Sequence, residues 1–218
     1  QSYCRALSDA VAHLPAGQRA ALVVNCNPFT LGHQAVIAKA AEENDAVVVL
    51  VVSEESSLFP FEVRFRLVCE GVKAFKNVAV VPGGKYIVSA ATFPGYFTRE
   101  SETVLAQTSL DVTIFAEHIA PSLQVTRRYV GDEPYCAVTR AYNEAMKAIL
   151  PRHNLEIIQM PRISAGEQII SASLVRELIR QDALEDVRAL VPDSTYQYLI
   201  SAEAAPILNK IKSSHSRH

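Results

Sequence analysis

Short apolar runs alternate along the chain with longer stretches in which apolar residues recur every three or four positions. Runs of the first kind are typical of buried parallel strands, and the second pattern is typical of the crossover helices that join them. The order predicts an α/β fold with a doubly wound parallel sheet and C-terminal helices. The predicted strands are 21–25, 46–52, 78–81, 112–115, 128–131 and 155–159. The predicted helices are 34–43, 62–75, 100–107, 138–150, 174–181, 183–190 and 194–201.

The same pattern predicts three parts of the chain. Residues 1–18 form a helical or linker segment, 19–182 form the α/β domain, and 183–218 form a helical appendage with a frayed tail. A chain of 218 residues suits one such domain. In doubly wound sheets, ligands bind beyond the carboxyl ends of the strands, so site residues are expected in the segments that follow each strand.

Composition excludes several classes of protein. A formal charge of −2 argues against a general nucleic-acid binder. No apolar run approaches the roughly 20 residues that span a bilayer, and no signal segment opens the chain, so a cytoplasmic protein without a membrane partner is predicted. Because the first residue is Gln1, we expect a processed product or an excised domain.

The four cysteines do not predict a special chemistry. They are widely spaced and form no C-x-x-C pair, which argues against a zinc site or a disulfide scaffold. We expect each to be a small packing residue. The four are Cys4, Cys26, Cys69 and Cys136.

The first candidate site is the loop between the first predicted strand and the next helix, which reads Asn25-Cys26-Asn27-Pro28-Phe29-Thr30-Leu31-Gly32-His33. Pro28 stiffens the turn, and Gly32 lets the backbone approach a ligand closely. The N–H groups at the start of a helix favour an anion. The His33 ring and the Thr30 hydroxyl can each donate to a phosphate oxygen. This strand-to-helix placement predicts a phosphate site.

The second candidate site is Ile169-Ile170-Ser171-Ala172-Ser173-Leu174-Val175-Arg176, which follows the last predicted strand and opens another helix. Ser171 and Ser173 can cap the helix or donate to phosphate, and Arg176 lies one turn further along. Alone, the segment is better explained as an ordinary Ser-capped helix with a solvated arginine. Considered together with the first loop, it predicts a second segment that binds the same anion.

Further candidates follow other strands. Lys85, after Pro82-Gly83-Gly84, can bring an ammonium group to a reacting phosphate or be a solvated loop lysine. Gly131 and Asp132 can approach a ribose and base or form an ordinary acidic turn. For Arg64 and Arg66 a solvated helix face is predicted.

The first loop resembles the T/H-x-G-H motif of the nucleotidyltransferase superfamily, whose members join a nucleotide α-phosphate to an acceptor and release pyrophosphate. This chain has Thr30 at the position where many members have His, so His33 alone supplies an imidazole. The second segment resembles the I-S-x-[ST]-x-x-R motif of the same superfamily, in which Ser and Arg hold the β- and γ-phosphates. The likeness implies a Rossmann-like fold and ATP as substrate.

Three longer stretches resemble the citrate lyase ligase family. They are 25–34, 90–97 with its run Thr92-Phe93-Pro94-Gly95-Tyr96-Phe97, and 130–143 with Val130-Gly131-Asp132-Glu133-Pro134. The likeness spans roughly 21–200 and implies an enzyme that activates acetate with ATP and Mg²⁺. Its implied acceptor is the thiol of the phosphoribosyl-dephospho-coenzyme A group on the acyl carrier (gamma) subunit of citrate lyase. Such ligases usually carry an N-terminal acetyltransferase-like domain, which this chain lacks.

Together, the motifs and the resemblance give a set of expected site residues. Catalytic roles are expected of His33, Thr30, Lys85 and Arg176, and no protein metal ligand is assigned. The aromatic loop at 92–97 can wall an acetate and thiol channel or pack in the core. The residues expected to bind ATP are Asn25, Asn27, Pro28, Phe29, Gly32, Gly131, Asp132, Ile170, Ser171 and Ser173.

Two other functions fit the same motifs. One is an adenylyltransferase that acts on a phosphorylated small molecule such as phosphopantetheine or nicotinamide mononucleotide. The other is a non-catalytic module that binds nucleotide or docks the carrier. The acceptor dependence of pyrophosphate release separates the first alternative from an acetate ligase, and the effect of His33→Ala on turnover separates the second.

Overall fold

Five parallel strands form the main sheet, in the order β3-β2-β1-β4-β5. β2 is buried along its whole length, as its unbroken apolar sequence predicts. The order reverses at β1, which pairs with β2 on one side and β4 on the other. This arrangement confirms the predicted α/β fold with a doubly wound sheet. The strands are β1 (Arg19–Val24), β2 (Ala46–Val51), β3 (Val78–Pro82), β4 (Arg127–Gly131) and β5 (Glu156–Met160).

The computed structural model describes residues 2–89, 104–132, 137–165 and 168–214. The predictions for 90–97, for Glu133 and Pro134, for Cys136 and for the first residues of the helix at 100–107 lie outside these ranges. Within them the helices are α1 (Ser2–Ala10), α2 (Leu31–Glu43), α3 (Phe61–Val72), α4 (Val104–Ile114), α5 (Ala120–Leu123), α6 (Ala137–Ile149), α7 (Ala172–Arg180), α8 (Leu184–Val187), α9 (Asp193–Leu199) and α10 (Ala205–Ser213).

The strand predicted at 112–115 is wrong. These residues end α4 and begin a π-helical segment, Phe115–Ile119, that leads into α5. Val112 and Phe115 are buried, and the helical run is apolar on several faces. A short apolar run of this kind has no period that separates a buried strand from a buried helix.

Several elements of the described ranges were not predicted, including a hairpin and the helix at 205–213. A short antiparallel hairpin joins β5 to α7 through β6 (Ser164–Ala165) and β7 (Gln168–Ile169), in which Ser164 pairs with Ile169. Helix α10 occupies residues close to the tail that was expected to fray. The hairpin matters for the site because it leads directly into the second motif.

Contacts divide the chain into two units. The sheet unit comprises 1–24, 36–54 and 75–161, and it holds the main sheet and an apolar core that includes Val48, Leu50 and Phe115. The motif unit comprises 25–35, 55–74 and 162–218, and it holds α3, the hairpin and α7–α10. Both sequence motifs belong to the motif unit. The predicted boundaries at 18/19 and 182/183 stay predictions.

Candidate functional site

The turn that follows β1 is held by hydrogen bonds from the loop before α3. The Asn25 side chain bonds with the Ser57 hydroxyl at 3.1 Å. The backbone N–H of Phe59 donates to Asn27 Oδ1 at 3.0 Å. Between these two asparagines, Cys26 is buried and has a φ of 53°, in the left-handed region. The Asn27–Pro28 peptide bond is cis. The two asparagines expected to bind ATP therefore use side-chain atoms to fix the turn.

Hydrogen bonds at the start of α2 fix the tautomer of His33. The backbone N–H of Thr30 donates to His33 Nδ1 at 3.1 Å, and the Thr30 hydroxyl lies 2.9 Å from the same nitrogen. A backbone amide can only donate, so Nδ1 carries no proton and the neutral ring holds its proton on Nε2. The Phe29 ring, itself fully buried, stacks on the imidazole with centroids 5.9 Å apart. His33 thus presents an oriented Nε2–H donor.

The imidazole of His33 is kept neutral. Burial lowers its pKa from 6.5 to about 4, and the positive charge of Arg162 contributes to the same shift. Sequence reasoning missed Arg162, although it follows β5 closely, where site residues were sought. Its neighbour Ile163 accepts a hydrogen bond from Ile170 N at 3.0 Å, which sets Arg162 at the base of the hairpin beside the second motif. Arg162 therefore adds positive charge to the surroundings of His33.

Gly32 lies where the two motifs come together. A Cβ atom built at this position would lie 3.2 Å from the carbonyl oxygen of Ile170 and 3.4 Å from the Thr30 hydroxyl. The start of α2 is thus packed closely against the residue that precedes the N-cap of α7. A side chain at position 32 would crowd Ile170, and this close approach explains the glycine. The sequence had predicted a different reason, a close approach of the backbone to a ligand.

Arg176 links the two motifs directly. Its Nη1 donates to the backbone carbonyl of Asn27, and its Nη2 donates to the Ser173 hydroxyl at 3.3 Å. The side chain is 4% exposed, so the solvated arginine that the sequence left open is not what the structure has. Burial, and to a lesser degree Arg180, lowers its pKa to about 10, so it stays protonated at neutral pH. A positive charge therefore lies between the two predicted phosphate-binding segments.

Ser171 is the N-cap of α7. Its hydroxyl accepts a hydrogen bond from Leu174 N at 3.1 Å, which is the usual role of serine at this position. The N–H groups of the first turn of α7 therefore begin where the chain passes Gly32. Two helix N-termini, those of α2 and α7, and the charge of Arg176 are gathered within the motif unit. Such an arrangement favours a polyanion.

The solvated helix face predicted for Arg64 is wrong. It is 0% exposed, and its Nη1 donates to the backbone carbonyl of Asn25 at 2.9 Å. A signal was present in the sequence, because Arg64 shares a helical face with the buried residues Leu67 and Val68. The prediction holds for Arg66, which is exposed and pairs with Glu203 at 2.7 Å.

Lys85 lies in the sheet unit, on a turn held by several hydrogen bonds. Gly83 N donates to the carbonyl of Val51 at 2.7 Å, and the Tyr3 hydroxyl donates to the carbonyl of Gly83 at 2.5 Å. Gly84 has a φ of 63°, and its N–H donates to the Ser53 hydroxyl at 2.9 Å. The lysine side chain itself is exposed. Its approach to a phosphate stays a prediction.

Gly131 and Asp132 also lie in the sheet unit, where β4 ends. A Cβ atom on Gly131 would meet nothing within 4 Å. Asp132 N donates to the carbonyl of Met160 at 2.8 Å, and Gln159 Nε2 donates to Asp132 Oδ1 at 2.7 Å. The open space beside Gly131 agrees with a backbone that admits a ligand. Contact with ribose or base stays a prediction.

The described side chains offer no ready-made metal centre. Among residues 2–89, 104–132, 137–165 and 168–214, no group of three or more His, Cys, Asp or Glu is placed to hold an ion. Within the same ranges no helix is long and apolar enough to span a bilayer.

Comparison with known sequences identifies close relatives. The family model of the citrate lyase ligase C-terminal domain matches residues 19–199. The chain is 40% identical to a citrate (pro-3S)-lyase ligase of Klebsiella pneumoniae, a match that covers 91% of this chain and 59% of that protein. It is 39% identical to the corresponding ligase of Escherichia coli K12, covering 85% of this chain and 54% of that protein. The chain thus spans little more than half the length of these relatives.

Solved structures share the fold at low sequence identity. Thermotoga maritima TmcAL bound with alpha-thio ATP matches with a TM-score of 0.52 and 15% identity, over 87% of this chain and 56% of that one. A pantoate-beta-alanine ligase from Francisella tularensis matches with a TM-score of 0.53 and 15% identity, over 96% of this chain and 83% of that one. These likenesses support the Rossmann-like architecture.

Proposed function

Because the chain belongs to the citrate lyase ligase family, we propose that it activates acetate with ATP and transfers the acetyl group to a carrier thiol. The acceptor is the phosphoribosyl-dephospho-coenzyme A arm of the citrate lyase acyl carrier subunit, and the reaction takes place in the cytoplasm. The observation that carries the proposal is the bond from Arg176 to the Asn27 carbonyl, which brings both phosphate motifs together. A neutral, oriented His33 lies on the same loop.

The first half-reaction needs no general base. Acetate, with a pKa near that of Asp or Glu at about 4 to 5, is already ionised at neutral pH. One carboxylate oxygen attacks the α-phosphorus, the bond from that phosphorus to the bridging oxygen breaks, and pyrophosphate leaves. Acetyl-AMP remains in the site. The protein has to align the two reactants and neutralise the charge that grows on the phosphates.

The site residues divide this work. His33 Nε2–H donates to a phosphate oxygen in the transition state. The N-termini of α2 and α7, with Arg176, hold the β- and γ-phosphates, and Lys85 approaches the reacting phosphate. A magnesium ion bound with the triphosphate would neutralise part of its charge, and no residue of the chain is assigned as its ligand. Such an ion usually keeps several waters and binds to phosphate oxygens, so an all-protein cage is not required.

The second half-reaction transfers the acetyl group. The carrier's thiolate attacks the carbonyl carbon of acetyl-AMP, the bond from that carbon to the phosphate oxygen breaks, and AMP leaves with its negative charge. The thiol proton passes to solvent. The product is an acetyl thioester on the carrier arm.

The decisive experiment follows labelled acetate. The chain is incubated with ATP, magnesium, radiolabelled acetate and the thiol form of the carrier subunit, and carrier label and AMP are measured together. We expect equal amounts of both. A carrier whose thiol has been alkylated is the matched control, since it should lose the label while acetate-dependent exchange of pyrophosphate into ATP continues.

Two outcomes would contradict the proposal. Pyrophosphate release that requires phosphopantetheine or nicotinamide mononucleotide and ignores acetate would instead indicate an adenylyltransferase. Nucleotide binding with no turnover on any acceptor would indicate a binding module.

A further inference from the structure

Arg64 on α3 is a fully buried arginine that the sequence motifs do not include. Its side chain is 0% exposed. Burying a guanidinium is unfavourable unless hydrogen bonds replace the lost water. The hydrogen-bond partners of the guanidinium should therefore explain why Arg64 is buried.

The guanidinium of Arg64 connects two loop segments. Nε donates to the carbonyl of Phe59 at 2.9 Å. Nη1 donates to the backbone carbonyl of Asn25 at 2.9 Å and to Asn25 Oδ1 at 3.1 Å. One side chain thus fixes both the backbone and the side chain of Asn25. Its planar fork of donors suits this geometry, which a lysine ammonium group cannot reproduce.

The carbonyl of Asn25 belongs to the peptide that carries the N–H of Cys26. Fixing that carbonyl fixes the orientation of the peptide plane and so restrains the φ of Cys26, which is 53°. Residues with a Cβ disfavour this left-handed conformation by about tenfold relative to right-handed backbone. Cys26 is therefore held where it would not stay unaided, and Arg64 supplies a restraint.

The conformation of Cys26 decides where the rest of the proposed phosphate loop, residues 25–33, lies. The next residue, Asn27, receives the Arg176 hydrogen bond on its carbonyl, and the loop continues to Thr30 and His33. A change at Cys26 would displace the Asn27 carbonyl from Arg176 and alter the entry into α2. Arg64 therefore influences the site from behind the loop, without being exposed to a ligand.

We propose that Arg64 is a positioning residue for nucleotide binding, holding the Asn25–Asn27 turn in its left-handed form through Asn25. The inference rests on the proposed function only in taking this loop as the triphosphate site. A purely structural arginine would affect folding alone. A positioning arginine changes the affinity of the folded protein for ATP.

The test compares Arg64→Met and Arg64→Lys with Arg66→Met as the matched control. Arg66 lies on the same helix, pairs with Glu203 and packs over the Tyr198 ring at 5.3 Å, so its loss also removes a packed arginine from α3. ATP dissociation constants are measured by calorimetry below the unfolding temperature of each variant. We expect a roughly tenfold weaker affinity for Arg64→Met, a smaller loss for Arg64→Lys, and a change within about twofold for Arg66→Met.

A second variant separates loop geometry from stability. Glycine adopts a positive φ without steric cost. Adding Cys26→Gly to Arg64→Met should therefore recover part of the ATP affinity while leaving the unfolding temperature at or below that of the single variant. Unchanged ATP affinity in folded Arg64→Met would overturn the proposal, as would a double variant with no recovery.

Failure of the acetate reaction would leave this test intact. ATP binding is measured without acetate or carrier, so wild-type protein that binds ATP but forms no acetyl product contradicts the proposed function alone. If the wild-type protein binds ATP and the Arg64→Met variant binds it with the same affinity, the positioning role alone is contradicted.

Discussion

His33 depends on Thr30 for its orientation, and this dependence predicts how substitutions rank. The ring accepts at Nδ1 from Thr30 and keeps its proton on Nε2. The amide nitrogen of glutamine reaches the region of Nε2, whereas that of asparagine stays near Nδ1. We expect His33→Ala and His33→Asn to lower turnover by about 10² to 10³-fold, the scale of a lost transition-state donor. His33→Gln should retain more activity than either.

The ranking is checked by initial rates of acetate-dependent AMP formation at saturating ATP, with thermal unfolding measured on each variant. Equal activities of the Asn and Gln variants would refute the assignment of Nε2 as the donor. Near-normal turnover of His33→Ala would refute any catalytic role for the ring.

The low pKa of His33 makes a prediction about stability. Between pH 6.5 and about 4, the unfolded chain binds a proton on this ring that the folded protein does not bind. The neutral ring therefore stabilises the fold fully above pH 6.5, and this contribution is lost as the pH falls toward 4. Arg162 strengthens the effect because its charge opposes protonation. Urea unfolding of wild-type protein and His33→Gln should show a stability difference that shifts against the wild type on acidification. A difference that stays constant with pH would contradict this account.

At the scale of elements, α3 is the support of the phosphate loop. A Cβ on Gly71 would lie 2.3 Å from Phe29 Cε1, and Phe29 is fully buried beneath His33. The Gly71 carbonyl also accepts from Gln34 Nε2 at 2.7 Å, which ties α3 to the first turn of α2. The fit between α3 and the Phe29 ring leaves no room for a methyl group on Gly71.

Gly71→Ala should therefore reverse the usual effect of this substitution in a helix. Alanine ordinarily stabilises a helical position by up to about 1 kcal/mol relative to glycine. Here overpacking should lower the free energy of unfolding by about 1 to 3 kcal/mol, and displacement of Phe29 should lower turnover as well. Denaturant unfolding measures the first effect. Gly131→Ala is the stability control, because a Cβ at that position would meet nothing within 4 Å. A Gly71→Ala variant that is more stable than the wild type would disprove the packing argument.

Sequence patterns predict elements whose period or flanking residues are distinctive. Strand β2 follows from its unbroken Val-rich run, and the two motif helices follow from the Pro28 turn and the serine cap at Ser171. The helical identity of 112–115 does not follow, because a short apolar run has no period that separates a buried helix from a buried strand. Arg64 was misjudged for a related reason: its charge suggests a solvated face, while its spacing from Leu67 places it inside. Charge outweighed periodicity in that prediction, and two of the hydrogen-bond acceptors that stabilise the buried charge belong to Asn25, 39 positions earlier.

At the scale of the whole molecule, the motif unit is assembled from three separate stretches of chain. Residues 25–35, 55–74 and 162–218 contribute the phosphate loop, its support and the second motif. A local pattern predicts each stretch separately, but no pattern predicts that the Arg176 guanidinium bonds to the carbonyl of Asn27, 149 positions earlier. That contact is the reason to treat the two motifs as one site.

The last prediction follows from this assembly. If one triphosphate engages both motifs, ATP should slow amide hydrogen exchange in 27–34 and in 170–177 together, at the same ATP concentration and with the same midpoint. A single ligand that binds only the folded state stabilises every segment it holds by the same mass action. Peptides from 112–123, in the π-helical region of the sheet unit, serve as the internal control and should change little. Exchange measured by mass spectrometry across an ATP titration tests this directly. Protection of one motif alone, or of the two motifs with different midpoints, would mean that they do not bind one common ligand. The hydrogen bond between Arg176 and Asn27 would then stabilise the fold without a role in ATP binding.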